Sequence, residues 1–280
     1  MKVNDYFNLK YSPFSNSVET LYESKDYLET KKRLDYFLEE EGLALITGAS
    51  GTGKSQCVLS CIDTNKYKVI YVQNNNLTLF EFFNYLGNKL DVSTIHCHMS
   101  LILTDIQKQL FSYYKANKKT VIVIDDVDSL QSKIIETLKY LCYLPTNDYK
   151  ANIVLIGHTS FRNRCKRELF KSFESNIIIN YDFSGLSLNE TRDYIKHRLY
   201  LAGGDTNLIE DKYYNAIYSY SNGIPTRINK YMYNLLLLLH SLKTKEVTSK
   251  LLKAVSDEVE IWQEQLNISV PIKMKFGKHH

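Results

Sequence analysis

The chain has 280 residues, 44% of them apolar, and a formal net charge of +4, which is enough for one α/β domain with a small appended unit. The densest apolar run, Leu235–Leu239, falls far short of the about 20 residues that a bilayer crossing needs. The opening MKVNDYFNLKYSPF lacks the apolar centre of a secretory leader, and the five cysteines, odd in number and irregularly spaced, read as free thiols. These features point to a cytoplasmic protein with no membrane partner.

Taken in chain order, residues 1–42 read as an N-terminal segment packing on a core that spans 43–184. The apolar run Leu43–Thr47 is the first strand, and GASGTGKS at 48–55 follows it directly. This is the pattern G-x-x-x-x-G-K-[ST] of a P-loop, set between a strand and a helix-compatible stretch at 55–62. Gly48, Ala49, Ser50, Gly51, Thr52 and Gly53 turn backbone N–H groups toward phosphate oxygens. Lys54 reaches the β- and γ-phosphates of ATP, the Ser55 hydroxyl ligates Mg²⁺, and Gln56 lies in the first turn of a helix whose positive end faces the anion. Strands are expected at 68–73, 120–125, 152–157 and 177–183, and helices at 77–90, 100–117, 130–143 and 160–174.

The third strand carries the second motif. TVIVIDDVD at 120–128 is a buried parallel strand ending in carboxylates, the form of a Walker B strand. Asp125 is expected to hold Mg²⁺, directly or through water. Asp126 stands where most such ATPases have glutamate, and either positions the attacking water or is structural. An aspartate sets its carboxylate one methylene back, so hydrolysis is expected to be slow. His96-Cys97-His98 is not read as a metal site, because neighbours on a strand face opposite ways and no Cys-x-x-Cys partner exists. The 22 tyrosines are scattered and read as packing residues.

Gly185 marks a change of pattern. From Ser187 the chain reads as helices at 187–202, 207–221, 225–243 and 247–266, with Ser187 and Glu190 forming a capping box and Gly203-Gly204 closing the first helix. Residues 185–266 form a helical lid and 267–280 a tail, of which His279 and His280 are set aside. The fold class is thus α/β, a P-loop AAA+ core with a five-stranded parallel sheet followed by a small C-terminal helical lid.

A series of short motifs runs through nearly the whole chain to about residue 245: Tyr6-Phe7, Ser12-Pro13-Phe14, Leu21-Tyr22, the P-loop, IVLIGH at 153–158, GLSLNET at 185–191, YIKHRLYLAGG at 194–204 and GIPTRIN at 223–229. In this order they resemble the ExeA (general secretion pathway protein A) type of AAA+ ATPase. Without a membrane segment, the chain is similar in kind to the soluble, transposon-associated branch and to the TnsC and MuB target-selection ATPases.

The resemblance implies further site residues. His158 falls at sensor 1, facing the γ-phosphate or the attacking water, or is a histidine satisfied by its neighbours. Arg227 falls one residue after the usual sensor 2 arginine, where Thr226 stands, and either reaches the nucleotide or is a surface residue. At the usual arginine-finger positions stand Glu174 and Asn176, which leaves Arg162, Arg164, Lys166, Arg167 and Lys171 as a source of a trans finger or as an exposed basic face. DNA contacts are implied at Asn74–Thr78, above all Asn76 and Thr78, and at the helix start near His98-Met99-Ser100, where Ser100 is the candidate; the same residues serve as helix caps.

The function implied is an ATP-dependent oligomer, a ring or helical filament, that binds double-stranded DNA and regulates transposition with a transposase or related recombination protein. Two alternatives stand beside it: an ExeA-like secretion or envelope-assembly ATPase, and a non-hydrolysing nucleotide-gated interaction module.

Overall fold

Runs of aliphatic and β-branched residues make strands that can be buried on both faces, and such strands need helices on each side. The computed structural model describes residues 2–15, 20–40, 42–73, 76–92, 98–142, 151–167 and 170–257. After a short turn of helix α1 (Val3–Tyr6) come α2 (Lys25–Glu40), β1 (Leu43–Gly48), α3 (Lys54–Cys61), β2 (Tyr67–Gln73), α4 (Leu79–Lys89), α5 (Met99–Lys115), β3 (Lys119–Asp125), α6 (Ser132–Cys142), β4 (Asn152–Gly157), α7 (Thr159–Cys165), α8 (Lys171–Glu174) and β5 (Ile177–Phe183). Then follow α9 (Leu188–Leu201), α10 (Tyr214–Ser221) and α11 (Pro225–Ser241), and residues 249–257 are helical.

Among the described residues, Glu23–Gly185 form one compact unit, and those of Met1–Tyr22 and Leu186–His280 form a second. In the first unit, five strands lie in the order β2-β3-β4-β1-β5, every pair parallel. Alternate residues of each strand feed two cores. Leu43, Leu45, Ile122, Ile124, Ile153 and Leu155 pack with α4, α5 and α6 through Phe82, Phe83, Ile106 and Leu138. Ala44, Ile46, Val121, Val123, Val154 and Ile156 pack with α2 and α3 through Leu34, Phe37, Leu38 and Val58. The five expected strands are present, each within a residue of its expected bounds.

The second unit buries its own core. Phe7, Leu9 and Phe14 join Ile195, Leu199, Ile217, Ile228, Tyr231, Leu235 and Leu239. Of the segment 1–42 expected to pack on the core, residues 2–15 lie in the helical unit, whereas α2 packs on the sheet. Arg198 explains the tie. It is 7% exposed, its Nε donates to the Pro13 carbonyl, and its Nη2 donates to the Ser15 carbonyl at 2.6 Å. The Ser-Pro-Phe and His-Arg-Leu motifs are therefore two sides of one contact, a buried charge satisfied by backbone oxygens.

Two helices differ from expectation. The stretch 160–174 is not one helix but α7 and α8, and 207–221 is a 3-10 turn at Asp211–Tyr213 leading into α10. The Ser187–Glu190 capping box is present, with Ser187 accepting from the Glu190 N–H and Glu190 accepting from Ser187. The expected helix 247–266 is described only to residue 257, and the tail 267–280, Asn74-Asn75 and His96-Cys97 lie outside the described residues.

Candidate nucleotide site

The P-loop leaves the buried end of β1, passes an exposed tip at Ser50 and enters α3 at Lys54. Gly48 must be glycine for reasons of space, since a Cβ there would stand 2.7 Å from Phe183 Cβ. Gly53 caps α3 in the left-handed region at φ 90°, and nothing lies within 4 Å of a Cβ at that position. Its constraint is the backbone alone. Thr52 Oγ1 donates to the Ala49 carbonyl at 2.9 Å, which closes the loop from within.

Lys54 Nζ donates to the carbonyls of Gly48 (2.9 Å) and Ala49 (2.8 Å). Burial lowers its pKa, and the carboxylates of Asp125, Asp128, Asp126 and Asp182 oppose that shift. The cation is therefore held over its own loop and faced by four carboxylates from the ends of two strands, β3 and β5. Ser55 is half-buried in the first turn of α3, and Gln56 is exposed beside it.

Asp125 ends β3 at 8% exposure. Its Oδ1 accepts the Asp126 N–H at 2.9 Å and its Oδ2 accepts the Tyr71 hydroxyl at 2.7 Å. Burial first, and the neighbouring Asp125 next, push the Tyr71 phenol well above its ordinary range, so it remains a donor. The serine hydroxyl and the oriented carboxylate form a hard-oxygen donor set that fits Mg²⁺, which takes one or two protein oxygens beside phosphate and water.

Asp126 is exposed and sits in the left-handed region, φ 55°, ψ 44°, as the cap of a 3-10 turn at Val127–Ser129. Aspartate and asparagine visit this region far more readily than longer side chains do. The backbone thus gives a physical reason for aspartate where glutamate is usual.

The end of β4 is bound to that turn. Asp128 accepts the His158 N–H on Oδ2 and the Ser160 hydroxyl on Oδ1 (3.2 Å). A Cβ on Gly157 would meet Val127 Cγ2 at 2.7 Å and Asp128 Oδ2 at 2.8 Å. His158 Nδ1 accepts the Ser160 N–H at 3.3 Å, so the ring caps α7. Arg164 donates to the carbonyls of Asp128 (3.0 Å) and Leu130 (2.8 Å) and to Ser132 Oγ (3.1 Å). Its guanidinium is spent inside the subunit, which removes it from the finger candidates. Arg162 lies 3.7 Å from Asp182, whose other oxygen also accepts the hydroxyls of Thr47 and Thr159. Lys166, Arg167 and Lys171 are exposed.

The remaining expected residues lie elsewhere. Arg227 is exposed in the first turn of α11, in the helical unit. Asn76 is exposed at φ 57°. Thr78 caps α4 in a capping box, its hydroxyl donating to Glu81 at 2.7 Å and accepting the Glu81 N–H at 3.4 Å. Hydrogen bonds from the Thr78 backbone and hydroxyl lower the Glu81 pKa, so a carboxylate stays ionised at the helix start proposed for phosphate. Ser100 is exposed in the first turn of α5. Tyr71 and Asp182 were not singled out by motif, since strand pairing, rather than spacing in the sequence, brings them to the site.

Residues 38–165 match the family described as "AAA domain". Solved structures that resemble the chain include the ORC2 protein of Aeropyrum pernix in ADPNP-ADP complexes (TM-score 0.66, 15% identity, 89% of this chain and 71% of that one). The ORC1 protein of the same organism in complex with DNA gives a TM-score of 0.67 at 14% identity, over 93% of this chain and 72% of that one. The fold is that of an AAA+ core. At these identities the structural likeness speaks for the fold alone. Among curated sequences, the general secretion pathway protein A of Aeromonas hydrophila is 28% identical over 232 residues, 80% of this chain and 42% of that protein. The chain thus spans less than half the length of that relative. Among the described residues, no helix is long and apolar enough to cross a membrane.

Proposed function

We propose that this chain is a Mg²⁺-dependent ATPase that works as a nucleotide-gated switch, assembles with copies of itself and acts on double-stranded DNA. The observation that carries the nucleotide assignment is the convergence of Lys54 and Asp125 at the carboxyl ends of β1 and β3, where α/β sheets place ligands. Bound Mg²⁺, held through Ser55 and Asp125, would neutralise phosphate charge. Lys54 trades its two P-loop carbonyls for β- and γ-phosphate oxygens, and the N–H groups of Gly51–Ser55 cradle the anion. Asp126, exposed beside Asp125, orients the attacking water and takes up its proton. His158 caps α7 with Nδ1 and offers Nε2 to the γ-phosphate side. The short Asp126 side chain supports slow turnover, fitting a timer better than a motor.

Self-assembly and DNA association draw support from the AAA+ core and from the DNA-bound relative of like fold. The ionised Glu81 beside Thr78 weighs against phosphate at that helix start and shifts the expectation toward Asn76 and Ser100. A transposase partner rests on the sequence resemblance. The secretion or envelope reading is favoured by a specific finding, the 28% identical general secretion pathway protein A, and remains the second reading.

ATP titration, phosphate release and sedimentation with duplex DNA test these readings together. Lys54→Ala is expected to abolish tight ATP binding, and unchanged affinity overturns the P-loop assignment. ATP-dependent, salt-sensitive co-sedimentation with duplex DNA supports the DNA reading. A chain that turns over ATP and ignores DNA at low salt favours the envelope reading, and one that binds ATP without turnover favours an interaction module.

A further inference from the structure

A carboxylate at the end of a strand has two free side-chain torsions, and a metal site gains when neighbouring donors remove that freedom. Asp125 has one such donor from the next residue, the Asp126 N–H on Oδ1, and one from another strand, the Tyr71 hydroxyl on Oδ2 at 2.7 Å. Strand register explains how Tyr71 arrives there. β2 pairs with β3 so that Tyr71 lies opposite Val123 and Gln73 opposite Asp125. Residues two apart on a strand share a face, so Tyr71, Val123 and Asp125 project to the same side of the sheet. The tyrosine ring packs at the margin of the core that contains Val121 and Val123, and its hydroxyl spans the two-residue offset to the carboxylate. A phenylalanine would pack in this row as well as a tyrosine. The hydroxyl has a different task.

We propose that Tyr71 is the positioning residue of the metal-bearing carboxylate, holding Asp125 Oδ2 so that the group meets Mg²⁺ and nucleotide already oriented. The proposal rests on the reading of this site as a Mg²⁺–nucleotide site and adds to it a residue outside both sequence motifs. A carboxylate has about four lone-pair positions. Two are taken by donors, and the remainder are left for the metal or its bound water. Tyr71 never touches the reacting atoms; it acts through Asp125.

Tyr71→Phe in the full chain tests this, with binding of a fluorescent ATP analogue titrated by Mg²⁺ and with Mn²⁺ binding followed by electron paramagnetic resonance. The expected result is a metal affinity weakened by roughly 10–100-fold, the range for loss of an outer-shell partner. Nucleotide affinity without metal stays at the wild-type value, and excess Mg²⁺ restores the turnover rate. Unchanged Mn²⁺ affinity in the phenylalanine variant overturns the proposal, since a packing role would give that result. A fluorotyrosine at position 71 keeps the shape and alters only the hydroxyl; a shift in Mn²⁺ affinity supports the proposal, and no shift overturns it. A wild-type chain that binds no nucleotide overturns the underlying site reading, and this proposal with it.

Discussion

Asp126 shows how one backbone angle constrains chemistry. At φ 55° the position suits aspartate or asparagine, so Asp126→Asn removes the charge and keeps the turn. We expect ATP binding to be retained and turnover to fall by about 10²-fold or more, as for loss of a general base, measured by phosphate release. Wild-type turnover in that variant would remove Asp126 from the mechanism. Asp128 is no substitute, because both its oxygens hold the His158–Ser160 turn. Lys54 gives a pH prediction. Burial lowers its pKa, so its ammonium loses its proton at a lower pH than an exposed lysine does. The charge attracting phosphate is fully present below that lowered value and fades as pH rises through it. ATP affinity without metal is therefore expected to fall on the alkaline side earlier than ordinary lysine titration would give. Lys54→Arg should abolish this pH dependence; a decline that persists in the arginine variant would refute the assignment.

At the scale of elements, strands were legible because each is a short apolar run with a single period, and the sheet accepts it whole. The P-loop and the Ser187–Glu190 cap were legible because each is a local backbone requirement written in local residues. The break between α7 and α8 was not, since 160–174 carries a helical pattern throughout. Arg164 binds the turn after β3, a contact that spacing within the helix does not encode. Glycines separate the two kinds of constraint. Gly223, after α10, has φ 68°, and a Cβ there would stand 1.9 Å from the Leu186 carbonyl oxygen. Gly223→Ala is expected to cost about 3 kcal/mol or more, among the large values that strain and overlap produce. Gly53→Ala, with open space and only its φ to suffer, should cost about 1–2 kcal/mol. Denaturant unfolding of both variants checks the order, and equal losses would contradict it.

On the scale of the whole molecule, two units hold separate cores, and the N-terminal residues belong to the helical one. Phe7, Leu9 and Phe14 are each buried to 7% exposure or less, and burying such a side chain is worth about 1.5–3 kcal/mol. Deleting residues 2–15 also strips Arg198 of its two carbonyl partners. Hydrogen exchange should then show lost protection in α9 and α11 with the β-sheet amides still protected; uniform loss, or none, would contradict two separate cores. The sequence by itself determined the P-loop, the Asp125-Asp126 pair, the parallel sheet and the helical second part, because each depends on periodicity or on residues adjacent in the chain. Only the tertiary structure decided that residues 2–15 join the helices, that Arg164 is a staple and that Tyr71 holds Asp125. Those contacts join residues far apart in the chain, and strand order, register and the side-chain packing of the finished fold bring them together.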